Sequence, residues 1–270
     1  MRLLKYKSGN KLQKESIKDF LESKVVQFNE PGFIKNDPIS IPHQFSIKED
    51  IEIIGLITAT ISWGNRKSII NSANKLVEIF NEKPYEFVMH YSDSNYDLVK
   101  DFKHRTFNGF DLHYFILSLQ NIYLTHGGLE NIFEIGFKKT SSSLGAIENF
   151  RNIFLFKGGN EVRTKKHVSS PLKGSAAKRL NMFLRWMVRN DANGVDFGIW
   201  KNIPPSLLSC PLDVHSGNSA RNLRLLNRNQ NDWKAVVELD TNLRILDPND
   251  PVKYDFALFG MGLEKSLVKY

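Results

Sequence analysis

The 270-residue chain has one cysteine, Cys210. That excludes an intrachain disulfide, a four-cysteine zinc site and a cysteine-ligated iron–sulfur cluster, so a bound metal would need His, Asp or Glu ligands. No metal or cofactor is expected. No apolar run reaches the ~20 residues that a bilayer span requires, and the opening Met1-Arg2-Leu3-Leu4-Lys5-Tyr6-Lys7 lacks a signal-peptide core. The expectation is a cytoplasmic protein without membrane contact. The chain also lacks strand-type alternation, Asn-Gly hairpin turns between β-branched runs, internal repeats and low-complexity tracts. What remains is helical spacing nearly throughout, which predicts an all-α fold.

A composition of 41% hydrophobic and 24% charged residues argues against disorder. The length fits one large or two small domains, and two lobes are expected. A formal charge of +8 and a pI near 9.4 favour an anionic partner, most commonly nucleic acid for a cytoplasmic protein.

The spacing predicts a first helix over Lys14 to Phe28, then an irregular segment with Pro38 and Pro42. Two antiparallel helices, Ile51 to Ile61 and Arg66 to Phe80, should meet at the Ser62-Trp63-Gly64-Asn65 corner. Further helices are expected over Phe110 to Thr125, Leu129 to Phe137 and Leu144 to Phe156, followed by an exposed basic loop from Lys157 to His167 that includes Lys166. The helix from Ser175 to Arg189 places Leu180, Phe183, Leu184 and Met187 on one side and Lys178, Arg185 and Arg189 on the other, which reads as a core face and a cationic face. Helices from Ser216 to Leu226, Trp233 to Leu246 and Asp250 to Phe259 complete the chain, with Gly260-Met261-Gly262 as the final stop.

The turn Cys210-Pro211-Leu212-Asp213-Val214-His215 delivers a carboxylate and an imidazole two residues apart. Two roles are open to Asp213: the N-cap of the following helix, or a catalytic carboxylate.

Pro211 to His215, followed by Ser219-Ala220-Arg221-Asn222-Leu223, resembles the end of the helix-hairpin-helix motif of base-excision DNA glycosylases. Val237, Glu238, Leu243, Pro248 and Asp255-Phe256-Ala257-Leu258-Phe259-Gly260-Met261-Gly262 resemble that superfamily's later helices. Ile54 to Trp63, leading to Ser72-Ala73-Asn74-Lys75-Leu76, is similar to the helix pair that opens its six-helix lobe. Ser169 to Asn181 with Phe183 to Arg189 is similar to an uncharacterised bacterial family within it. Ser170-Pro171-Leu172-Lys173-Gly174 stands where the superfamily has Leu-Pro-Gly-x-Gly, so one of its two hairpin glycines is kept. The span from Lys178 to Asp213 is close to that of the archaeal 8-oxoguanine branch, with Asn190 to Leu208 as an insertion.

The resemblance implies a two-lobed helix-hairpin-helix glycosylase-like fold. Residues 51–204 would form one lobe and residues 1–50 plus 205–270 the other, in a monomer that holds damaged double-stranded DNA in its cleft. It implies excision of a damaged base, with oxidised purines among the candidates, and β-lyase activity if a lysine reaches the sugar. Asp213 would stabilise developing charge or activate the nucleophile; Lys178, with Lys173 behind it, would be that nucleophile. His215, Gly174, Arg179, Arg185, Arg189 and Lys166 would contact DNA, and Trp63, Asn65 or Trp186 would wedge or stack. The alternatives are a non-catalytic nucleic-acid-binding module with the same fold and, more weakly, a scaffold for an acidic protein partner.

Overall fold

A computed structural model describes residues 11–155 and 163–267; most of the expected basic loop, residues 157–162, lies outside them. The fold is all-α. Its helices are α1 (Lys11–Phe28), α2 (Pro31–Ile34), α3 (Lys48–Ile61), α4 (Arg66–Ile79), α5 (Pro84–His90), α6 (Tyr96–Val99), α7 (Gly109–Thr125), α8 (Leu129–Thr140), α9 (Ser143–Phe154), α10 (Lys178–Val188), α11 (Val214–Asn222), α12 (Trp233–Leu246) and α13 (Tyr254–Leu267). Among the described residues no helix is long and apolar enough to cross a membrane. One two-stranded antiparallel ribbon, Lys103–His104 against Phe107–Asn108, is too short to leave an alternating pattern in the sequence.

Two hydrophobic cores organise these helices. The larger surrounds α3, whose residues from Asp50 to Ile61 are all buried, as expected of a helix that is apolar on every side. α10 packs against it. The smaller core gathers Leu21 and Val25 of α1, the Cys210–Leu212 turn and the inner faces of α11, α12 and α13. The N-terminal fifty residues are divided between the two, because Ile39 and Ile41 sit in the larger core while α1 packs on α13. Residues 190–208 are more than a surface insertion: Val195, Trp200, Ile203 and Leu208 are buried in the larger core, and the Trp200 indole donates to buried Glu52 of α3 at 2.6 Å.

The expected cationic face of α10 is corrected by its surroundings. Arg185 and Arg189 are only 4% and 3% exposed. Arg185 pairs with Asp196 at 3.2 Å and with Asp255 of α13; Arg189 pairs with Asp196 at 3.3 Å, with Asp250 at 2.9 Å and with Asp191. Both guanidinium groups also lie against the Phe256 ring. Burial opposes the charge on Arg185, but Asp196 and Asp255 outweigh it and raise its pKa further. The partners come from segments remote in sequence, so helical spacing alone made this buried side resemble a solvated one. Both arginines direct their donors to these carboxylates; Arg185 still contributes to the lining of the cleft described below, and Arg189 does not. Trp186 is likewise fully buried in the core and offers no wedge.

The second correction concerns the C-terminus. Gly260 and Gly262 do not stop the last helix, which continues to Leu267. A Cβ on Gly260 would lie 2.4 Å from the Phe28 ring of α1, and one on Gly262 would lie 2.8 Å from His215. Both glycines let neighbouring elements approach α13 closely.

Two stability effects follow. Gly260→Val should cost about 1–3 kcal/mol in urea unfolding, through overpacking against Phe28. Arg185→Ala should cost about 3–5 kcal/mol because Asp196 and Asp255 would be left buried without their cation.

Candidate functional site

The Cys210–His215 turn is held from two directions. The Cys210 N–H donates to Asp240 of α12 at 2.9 Å, and the Asn231 amide donates to the Asp213 carbonyl, also at 2.9 Å. Asp213 then caps α11. Its Oδ1 accepts the His215 and Ser216 N–H groups at 2.8 and 2.9 Å, and its own N–H donates to Ser216 Oγ at 2.9 Å. This reciprocal capping box fixes the carboxylate's orientation. The other oxygen, Oδ2, faces Lys178 Nζ at 3.8 Å, with both side chains partly exposed. Asp213 is therefore a helix cap and also one half of an ion pair in a cleft.

Lys178 is the first residue of α10. The preceding Ala177 adopts a left-handed conformation (φ 45°) and is buried, with its N–H donating to Ser175 Oγ at 3.1 Å. That strained residue lets the chain leave the hairpin and enter the helix at once. The hairpin itself is a tight turn over Pro171–Lys173 closed by Gly174 (φ 86°).

The cleft has a volume of about 750 Å³. Lys178, Arg179, Asp213 and His215 line it, as does Trp63. Its other lining groups include Phe33, Asp37, Arg66, Asp255 and Phe259. Lys173, Gly174, Lys166 and Asn65 lie outside it. Lys173 and Lys166 are exposed, and Asn65 caps α4 by accepting the Ser68 N–H at 3.2 Å. Gly174 has no free amide for its expected DNA contact, because its N–H donates to the Pro171 carbonyl at 2.8 Å. The Leu172 N–H is also taken, by Glu148 of α9 at 3.2 Å. The first turn of α10, by contrast, has no side-chain cap.

Arg179 donates to the Thr60 carbonyl and has no carboxylate partner among the described residues, and burial lowers its pKa. Arg66 sits over the Phe259 ring at 5.8 Å. Beside the cleft, Arg105 of the ribbon stacks on Trp63 at 4.8 Å and lies against Gly64, whose positive φ and missing Cβ make room for it. Its guanidinium makes no hydrogen bond or ion pair among the described residues, which leaves its donors free. Sequence reasoning missed Arg105 and Asp37. The Lys103-His104-Arg105 run between phenylalanines and the Asp37-Pro38 pair were their only local signals. Among the described residues no three His, Cys, Asp or Glu side chains cluster to hold a metal ion.

Buried carboxylates surround the turn. Burial pushes Asp255 up to about 6 despite the Arg185 guanidinium, and Asp240 up to about 6 despite its hydrogen bond from Cys210. For Asp240 the folded pKa lies above the ordinary 3.8, so the folded state binds more protons between about pH 4 and 6 and is stabilised as pH falls through that window. In urea unfolding, the stability of wild type relative to Asp240→Asn should therefore rise by on the order of 2–3 kcal/mol from pH 7 to pH 4. A constant difference between the two proteins would contradict this assignment.

Residues 37–264 match the model of a family described as a protein of unknown function, DUF2400. No curated protein and no solved structure matches the chain. The matched span includes every cleft-lining residue named above except Phe33, and it covers well over half of the sequence: the chain belongs to the DUF2400 family.

Proposed function

We propose that this protein is a DNA glycosylase with a helix-hairpin-helix glycosylase-like fold, which excises a damaged base in the cleft and uses Lys178 for an accompanying β-lyase step. The observation that carries the reading is the pair formed by Lys178 Nζ and Asp213 Oδ2, 3.8 Å apart in a cleft lined by Trp63, Phe33 and Phe259. An amine, a fixed carboxylate and flat apolar walls are what removal of an extruded base requires.

In this mechanism the neutral Lys178 amine attacks the anomeric carbon as the glycosidic bond breaks. The Asp213 carboxylate is within reach to take the ammonium proton beforehand; passing that proton to the departing base restores the carboxylate, which then stabilises the positive charge left on the sugar. The base leaves with the bonding electron pair and takes up a proton; the C1′–O4′ bond then opens, O4′ taking a proton that the amine releases, which turns the new C–N bond into a Schiff base, and loss of a C2′ proton expels the 3′ phosphate by β-elimination. Because Oδ1 is occupied by the α11 cap, only Oδ2 serves the chemistry, which favours a single geometry. Lys173 is exposed and lies outside the cleft, which makes it the weaker nucleophile candidate. Arg66, Arg105 and the uncapped start of α10 supply donors for the DNA backbone.

Borohydride trapping on duplexes carrying single lesions tests the reading. Wild type should form a covalent adduct, Lys178→Ala should form none, and Lys173→Ala should trap normally. Asp213→Asn should lower single-turnover excision about 10²–10⁴-fold. Salt-dependent DNA binding with no product, unchanged in Asp213→Asn, would instead identify a non-catalytic binding module.

A further inference from the structure

Asp37 differs from the other carboxylates of the cleft in what its two oxygens touch. Asp213 has the α11 cap and Lys178; Asp255 has Arg185 and faces the Cys210 thiol at 3.8 Å. Asp37 caps the short turn Pro38–Ser40, with Oδ1 accepting the Ile39 N–H at 3.1 Å. Its other oxygen makes no hydrogen bond or ion pair among the described residues. Yet the residue is only 7% exposed, and what remains accessible opens into the cleft. That oxygen opens into the cleft, where only solvent or a bound ligand can donate to it, and a ligand that displaced the solvent without donating would leave it unpaired.

The surroundings limit what can satisfy that oxygen. Phe33 and Phe259 pack edge to face on each other, ring centroids 6.5 Å apart, and both line the cleft, so Asp37 shares it with an apolar aromatic wall. Arg66, Arg185 and Lys178 act on Asp37 electrostatically, but none comes within ion-pair distance, and burial leaves its pKa raised. The partner absent from the described residues is a hydrogen-bond donor, which a ligand's N–H group can supply.

We propose that Asp37 is a specificity-determining residue that accepts a hydrogen bond from an N–H group on the edge of the extruded base. The substrate class is then a base that turns an amino or imino N–H toward the α2 side of the cleft; a carbonyl in that place would meet carboxylate oxygen and be rejected. Such polar matching discriminates more strongly than shape, because the wrong ligand leaves a buried group unpaired. This inference rests on the glycosylase reading above.

Asp37→Asn tests it with little change in volume. The amide oxygen can keep the Ile39 N–H while the NH₂ group replaces an acceptor by a donor. Two quantities are compared with wild type: kcat/KM for the base that wild type removes fastest from duplexes carrying 8-oxoguanine, hypoxanthine or uracil, and affinity for a duplex carrying a tetrahydrofuran abasic analogue, which has no base to read. The expected result is a loss of excision that exceeds any loss of abasic-duplex affinity by about tenfold or more. Equal losses in both would assign Asp37 a structural role and overturn the proposal, as would no loss in either. If wild type removes no base from any duplex, the glycosylase reading itself fails and the base-reading role falls with it.

Discussion

Two arginines buried on one side of α10 hold the candidate site in register. Asp196 bridges Arg185 and Arg189, while Asp255 of α13 and Asp250 before it complete the network from the other core. An ion network of this kind contributes little net stability over well-packed apolar side chains, because desolvation offsets most of the attraction. Its value is geometric: a charge that is unaffordable alone admits few alternative arrangements. α10 carries Lys178, and α13 packs on α11, which begins at Asp213. The 3.8 Å between these two side chains thus depends on a network in which neither takes part.

The two open roles of Asp213 are compatible because a carboxylate has two oxygens. Capping uses one of them and, with Ser216, prevents the side chain from turning away; the other is left facing the cleft. The close approach that Gly262 permits against His215 places the same turn hard against α13. The proposed catalytic role is therefore compatible with the capping one. Of the two roles that an acidic residue before a helix leaves open, capping is the one the hydrogen bonds display.

Legibility varied with the range of the forces involved. The helices α3, α4, α7, α8, α9 and α12 were readable from apolar periodicity, since each buries one face or all of its surface in a core. Lys178 and Asp213 were readable as candidates from residue type and order. The charge state of the surroundings was not: Arg185 and Arg189 look like surface cations until Asp196, Asp250 and Asp255 are brought to them. Gly260 and Gly262 look like a stop until Phe28 and His215 are packed against them. Asp37 and Arg105 carried almost no local signal, because one is defined by a missing partner and the other by stacking on Trp63.

By itself the sequence determined an all-α protein, the order of most of its helices, and a short list of groups with useful chemistry. These properties follow from hydrophobic spacing and helix capping, which act within a few residues of chain. The tertiary structure alone decided which cations are buried and neutralised, which lysine shares a cleft with Asp213, and which further carboxylate opens into that cleft. Hydrogen bonds, ion pairs and close packing act over a few ångströms in space, and folding sets those distances between residues that are far apart in the chain.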